Sequence, residues 1–122
     1  MALASHLAQI GFGSRDADFL GDTQASGIAA AGTTQGAATA LTASINAVST
    51  ATGGVNDAVL LPSALTFKPT AIVVRNDSGA TIQVFPASGE GINSLAANTA
   101  LNITNTNARV FFKLNTAQWV ST

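Results

Sequence analysis

The sequence predicts a mainly β protein, a β-sandwich or jelly-roll-like domain preceded by a short helical N-terminal segment. Three observations predict it. From Thr70 onward, runs of β-branched and aromatic residues are separated by Gly, Pro, Asn and Asp, the punctuation of short strands and turns. These runs recur at close, regular spacing, as in two-sheet β domains. The chain has 122 residues and no cysteine, so one modest core must hold it without a disulfide framework or a zinc ribbon.

The elements follow in order. Ala2, Leu3, Leu7 and Ile10 fall on one face of a short helix that Gly11 would stop. A second helical turn has Ser14 as N-cap and Asp16 in its first turn, where the helix dipole favours an acid, and it closes at Phe19 and Leu20 before Gly21. Helices this short need something to pack against. Residues 21–36 carry Gly21, Gly27, Gly32 and Gly36 among small polar residues and read as a linker. The domain organisation expected is therefore an N-terminal helical docking segment and linker over 1–36, and a β oligomerisation domain over 37–122.

Residues 37–51 fit two patterns. Leu41, Ile45 and Val48 are spaced as on a helix, whereas Leu41, Ala43, Ile45 and Ala47 alternate as on a strand. The many β-branched residues favour strand, with a bulge near Ala47 returning Val48 to the core face. Ala58–Leu61 makes another strand before Pro62. Thr70–Asn76 and Thr81–Phe85 flank the turn Asp77-Ser78-Gly79 and read as a β-hairpin, which Pro86 ends. Short runs follow at Ile92–Leu95 and Leu101–Thr104. A last hairpin joins Arg109–Leu114 to Ala117–Ser121. In it Val110, Phe112 and Leu114 share one face, while Arg109, Phe111 and Lys113 share the face expected toward solvent or a partner.

Charge narrows the function. Only 9% of the residues are Asp, Glu, Lys or Arg, against about 25% in an ordinary soluble domain. A surface of Ala, Thr, Ser, Asn and Gly protects a free monomer poorly against association, so self-association or docking is expected. The net charge of −1 offers no field for nucleic acid or an anionic membrane. Arg75, Arg109, Lys68 and Lys113 are too few to track a phosphate backbone. The N-terminal residues lack the basic flank of a secretory signal, and no apolar run is long enough to span a bilayer.

No residue constellation supports catalysis. His6 is the only histidine, and no nucleophile, base and oxyanion site come together around it. Asp16, Asp18 and Asp22 lack the ligand spacing of a calcium loop and suit helix-end complementation. Asp57 and Asp77 sit beside turn residues. Glu90 stands alone between two glycines, without the second carboxylate a glycosidase needs. Gly11-Phe12-Gly13 follows no strand and is no dinucleotide fingerprint. Phe111, Phe112 and Trp119 are read as core or subunit-interface anchors in preference to a carbohydrate platform. No metal, cofactor or enzymatic activity is expected.

The segments MALAS at the N-terminus, AGTTQGAATAL at 31–41, AVLLP at 58–62, IVVRNDSGATIQVFPASGEGINSL at 72–95 and ARVFFKLNTAQWVS at 108–121 together resemble small virion proteins of tailed bacteriophages. The similarity is most specific in SGATIQVFPASGEGIN and in the terminal AQWVS. It implies a capsid decoration (cement) or head-fibre subunit, commonly a trimer with a β-rich knob, and carries no catalytic residue across. On this resemblance the chain is expected on the capsid exterior of a virion assembled in the host bacterial cytoplasm. Its partners would be the major capsid protein and further copies of itself, with no membrane and no nucleic acid. Leu3, Leu7, Ile10, Phe12, Phe19 and Leu20 would dock on the shell. A neck, tail or head-fibre subunit is the alternative, followed by a carbohydrate-binding adhesin tip using Trp119 and loop Asn side chains.

Overall fold

Successive strands pass back and forth between two sheets. The computed structural model describes residues 23–51 and 56–122. In chain order its strands are β1 (Gln24–Ala30), β2 (Thr39–Ala40), β3 (Ile45–Ala51), β4 (Ala58–Leu60), β5 (Ala71–Asn76), β6 (Ile82–Phe85), β7 (Gly91–Ile92), β8 (Leu101–Ile103), β9 (Ala108–Asn115) and β10 (Gln118–Ser121), with one 3-10 turn at Gln35–Ala37. A six-stranded sheet has the order β1-β3-β5-β9-β10-β7, and a four-stranded sheet the order β2-β4-β6-β8. The fold is mainly β, as the sequence predicts.

The winding differs from the sandwich or jelly roll expected. β1, β3 and β5 pair in parallel, as do β2, β4 and β6. Three turns of chain therefore stack as coils, in the manner of a short β-solenoid. Antiparallel pairing enters only where β9 runs against β5, β8 against β6 and β10 against β9. Thr70–Asn76 and Thr81–Phe85 consequently do not form a hairpin. Each is already paired in parallel with the preceding coil, and the 77–81 turn carries the chain from one sheet to the other. Asn76 builds that corner: its buried Nδ2 donates to the carbonyls of Ala80 (2.7 Å) and Ile103 (2.9 Å), and its Oδ1 accepts from the Ser78 amide (3.0 Å).

Gln24–Ala30, expected as linker, is the first strand of the six-stranded sheet. Ile28 and Ala30 pack against the core, so the expected division at residue 36 separates β1 from its own sheet. Residues 45–51 are a strand, but with the opposite face inward. Asn46 and Val48 are buried while Ile45 and Ala47 are half-buried, because the corner at 41–44 buries both Ala43 and Ser44 and resets the alternation. Toward β1 the register shifts between Asn46 and Val48, across Ala47, the expected site of a bulge, and again between Val48 and Thr50. The β3–β5 register is continuous, and the irregularities fall between β1 and β3. The helical segment expected over residues 1–20 lies outside the described residues.

The core fills the space between the sheets. Val48, Ile72, Val74, Phe111 and Trp119 come from the six-stranded sheet, Val59, Ile82, Val84 and Ile103 from the other, and Leu41, Leu61 and Ala64 from the connections. Each fully buried side chain of this kind contributes roughly 1.5–3 kcal/mol.

Candidate functional site

The informative surface is the outer face of the six-stranded sheet, and Trp119 decides which residues reach it. Trp119 is fully buried, with the Phe67 ring 6.3 Å away. In the β9–β10 register Trp119 faces Lys113, Val120 faces Phe112 and Ser121 faces Phe111. Paired residues share a face, so Trp119 inward sends Phe111 inward and turns Phe112 and Val120 out. Phe111 is accordingly fully buried, whereas Phe112, Leu114 and Val120 are 45%, 65% and 39% exposed.

This inverts the faces expected for Arg109–Leu114. The sequence offers an all-apolar set and a set with two cations, and the cationic set points inward. It does so because the core backs only the middle of β9. At its ends the long side chains reach past the core: Lys113 Nζ donates to the Phe67 carbonyl and lies 5.9 Å from that ring's centre, and Arg109 Nη1 donates to the Thr122 carbonyl. Of the expected core or interface residues, Phe111 and Trp119 are buried and Phe112 lies on the surface.

The strands extend the apolar surface sideways. Ile45 pairs with Val73 and Val73 with Val110, while Ala71 pairs with Phe112 and Phe112 with Val120. Ile45, Val73, Val110, Phe112, Leu114 and Val120 thus form one apolar stripe across β3, β5, β9 and β10. Phe112, Leu114 and Val120 are exposed and Ile45, Val73 and Val110 half-buried, and contiguous apolar area at a surface makes it a candidate interaction surface. Among these four strands' outward positions the charged one is Arg75, opposite Ala47 and Ala108. Its Nε donates to Asp77 at 2.8 Å, and this hydrogen bond, with the attraction of the carboxylate, raises the guanidinium pKa further above its ordinary value. Val73 and Val120 are not singled out in the sequence, and Val110 is placed there on the face opposite the one expected toward solvent or a partner. Their signal was present in β9, where neither face is fully polar.

The buried acid Glu90 is committed to the fold. Its carboxylate accepts from Ser63 Oγ at 2.6 Å and from the Ala64 amide at 2.9 Å. It therefore ties the turn after β4 to the one before β7. A cleft of about 280 Å³ of mixed polar and apolar lining lies between Asn102–Thr104, Asn107–Arg109 and Thr122, with the Arg109 guanidinium engaged on the Thr122 carbonyl. Among the described residues no three His, Asp or Glu side chains gather as metal ligands, and no helix is long and apolar enough to cross a membrane. The fully buried Trp119 ring has no face free to stack on a sugar, which removes the residue on which an adhesin tip was expected to rest. The expected docking residues Leu3, Leu7, Ile10, Phe12, Phe19 and Leu20, like His6, lie outside the described residues. No protein-family model, curated protein or solved structure matches the chain.

Proposed function

We propose that this chain is a non-catalytic structural subunit of a tailed-bacteriophage virion, a capsid decoration protein that binds the outside of the assembled shell and stabilises it. The observation that carries the reading is the pairing of a nearly uncharged chain with an exposed apolar sheet face. Such a surface serves a protein whose working state is permanent contact with neighbours. The resemblance of residues 72–95 and 108–121 to phage virion proteins supplies the context. The partners are the major capsid protein and further copies of this chain in a homo-oligomer, a trimer in the reading that the resemblance implies. The apolar side chains Leu3, Leu7, Ile10, Phe12, Phe19 and Leu20 are the proposed contacts with the shell.

The mechanism is linkage. A ligand that binds the closed shell and not its opened form adds RT ln(1 + [L]/Kd) per site, about 2.7 kcal/mol at a free concentration of 100 Kd. Many sites acting on one lattice raise the temperature at which it opens. The test adds purified protein to shells lacking decoration and follows co-sedimentation and the opening temperature. Saturable binding with a higher opening temperature is expected. Absence of binding, with the opening temperature unchanged, overturns the reading.

A neck, tail or head-fibre subunit is the second reading, favoured by one observation. The parallel coils stack along a single axis, a geometry suited to a projecting rod. Labelling of intact particles with an antibody to this chain separates the two, by decorating the whole shell in one case and a single vertex or projection in the other.

A further inference from the structure

The two sheets are of unequal width. The six-stranded sheet continues past β9 to β10 and β7, whereas the four-stranded sheet stops at β8. Beside that free edge lies the cleft of about 280 Å³, lined by Asn102–Thr104, by Asn107–Arg109 and by Thr122. We propose that it binds a uronic acid unit, a sugar ring that carries a carboxylate. The site does not depend on a contact with the shell and adds a ligand to the function proposed above.

Arg109 supplies the first argument. It is half-buried, which removes part of its hydration, and among the described residues it has no acidic partner. A charge withdrawn from water is stabilised by a counter-ion or by a full set of hydrogen bonds. A guanidinium has five N–H donors, and Arg109 commits a donor of Nη1 to the Thr122 carbonyl. The remaining donors leave a planar fork of the kind that holds a carboxylate through two parallel hydrogen bonds. Lys113, the other half-buried cation among the described residues, offers no such site, because its ammonium donates to the Phe67 carbonyl and lies over that ring.

The rest of the lining favours a sugar over a simple anion. The Asn102 carboxamide makes no hydrogen bond among the described residues. Asn107 Nδ2 donates to Thr104 Oγ1, which leaves Asn107 Oδ1 to accept and the Thr104 hydroxyl to donate. Sugar hydroxyls need donors and acceptors together, and these three side chains provide both. Ile103 and Ala108 give an apolar patch suited to the C–H face of a ring. An inorganic anion would leave all of these groups unused. The volume is close to the lower end of small-molecule sites, ~300 Å³, which suits one ring and not a longer oligosaccharide.

The lining is also held in place. The loop between β8 and β9 is fastened to Asn76 twice, by the Thr106 amide on the Asn76 carbonyl (2.7 Å) and by the Asn76 amide on the Asn107 carbonyl (2.8 Å). Asn105 Oδ1 accepts from the Gly79 amide at 2.9 Å. A site fixed before the ligand arrives loses less freedom on binding.

The test is a nuclear magnetic resonance titration of the full, isotope-labelled chain with glucuronate, against glucose, acetate and sulfate. Glucuronate at millimolar concentration is expected to shift the amides of Asn102, Thr104, Asn107, Ala108 and Thr122 saturably. Each comparison ligand should bind at least about tenfold more weakly. Asn102→Ala removes no hydrogen bond of the fold, so it should keep the folded spectrum and weaken glucuronate about 3–10-fold. Asn102→Asp, which sets a carboxylate against that of the ligand, should weaken it further. Arg109→Gln should erase the preference for glucuronate over glucose.

Absence of saturable shifts up to tens of millimolar, or shifts that Asn102→Ala leaves unchanged, overturns the proposal. Sulfate or acetate binding as tightly as glucuronate overturns it too, because the cleft is then a general anion site. Glucose binding equally does so by removing the role of Arg109. Should Arg109→Gln fail to fold, the two Asn102 variants and the comparison ligands decide the question alone. The titration involves no shells, so this proposal and the decoration reading stand or fall separately.

Discussion

Glu90 and Ser63 are joined by a 2.6 Å hydrogen bond between a buried carboxylate and a hydroxyl 27 positions earlier in the chain. The other carboxylate oxygen accepts from the Ala64 amide. One side chain thereby holds the connection that leads from β4 toward β5. Replacing Glu90 with Ala strands two donors, and leaving a buried donor unpaired costs about 1–3 kcal/mol. Glu90→Ala is therefore expected to destabilise the fold by about that amount in urea unfolding. Glu90→Gln, which keeps one acceptor oxygen, should lose less. Equal losses in the two variants would show that the hydrogen bonds do not set the cost.

Trp119 is the only tryptophan of the chain, so its fluorescence reports one site. Full burial predicts blue-shifted emission and little quenching by iodide in the native protein, with both changing together on unfolding. Trp119→Ala should cost about 3–5 kcal/mol, the usual range for a buried aromatic lost to alanine. Phe112→Ala should leave the fold of the separated chain nearly unchanged and weaken association, because that ring lies outside the core. A native emission at the wavelength of the unfolded chain would contradict this placement.

Asn76 distinguishes a polar staple from mere volume. Its Nδ2 donates to two carbonyls and its Oδ1 accepts from an amide. Asn76→Asp keeps the shape but faces the carbonyls of Ala80 and Ile103 with an acceptor. It is expected to be at least as damaging as Asn76→Ala at neutral pH, each by more than 1 kcal/mol. Chemical denaturation ranks the two, and a harmless Asn76→Asp would refute the donor assignment.

Gly32 and Gly36 sit on either side of the entry to the 3-10 turn and should respond oppositely to alanine. Gly32 has a φ of +71°, and a Cβ there would lie 2.5 Å from Ala37 Cβ and 2.9 Å from the Ala37 carbonyl oxygen. Gly32→Ala is expected to cost at least 1–2 kcal/mol from the backbone conformation alone, with the clash added. A Cβ on Gly36 meets nothing within 4 Å, so Gly36→Ala should be neutral or stabilise by up to about 1 kcal/mol through the unfolded chain. Thermal melts of the two variants check the contrast.

Much of the strand content was legible because alternation and turn residues are local signals. Ala58–Leu60, Ile82–Phe85 and the hairpin of β9 with β10 all appear where β-branched runs meet Pro, Gly or Asn. Pairing was not legible. The turn at 77–81 has the composition of a hairpin, but Ile45 finds its partner at Val73, and no short window records that match. The face of β9 was misread for a related reason. Alternation separates two sets of residues without saying how far the core extends along the strand, and Arg109 and Lys113 are tolerated inward because their heads emerge at its ends. The structural part played by Glu90 had no local signal, since its partners lie 26 and 27 positions away.

The reversal of strand direction at β8 and β9 ends the parallel stack among the described residues. A purely parallel coil offers a like edge at each end and can add further units without limit, which is how fibres grow. Here the last coil, β5 with β6, is already occupied by strands running the other way. The first strand, β1, is broken by two register irregularities and by Gly27 at a φ of +67°, a poor template for an incoming strand. Among the described residues the parallel stack is thus bounded by strands of opposite direction on one side and by an irregular strand on the other. It can be lengthened by inserting whole turns between β3 and β5, where the register is unbroken. Each inserted turn would carry the β9–β10 hairpin outward by one strand spacing, ~4.8 Å, and leave the apolar stripe on that hairpin facing the same way.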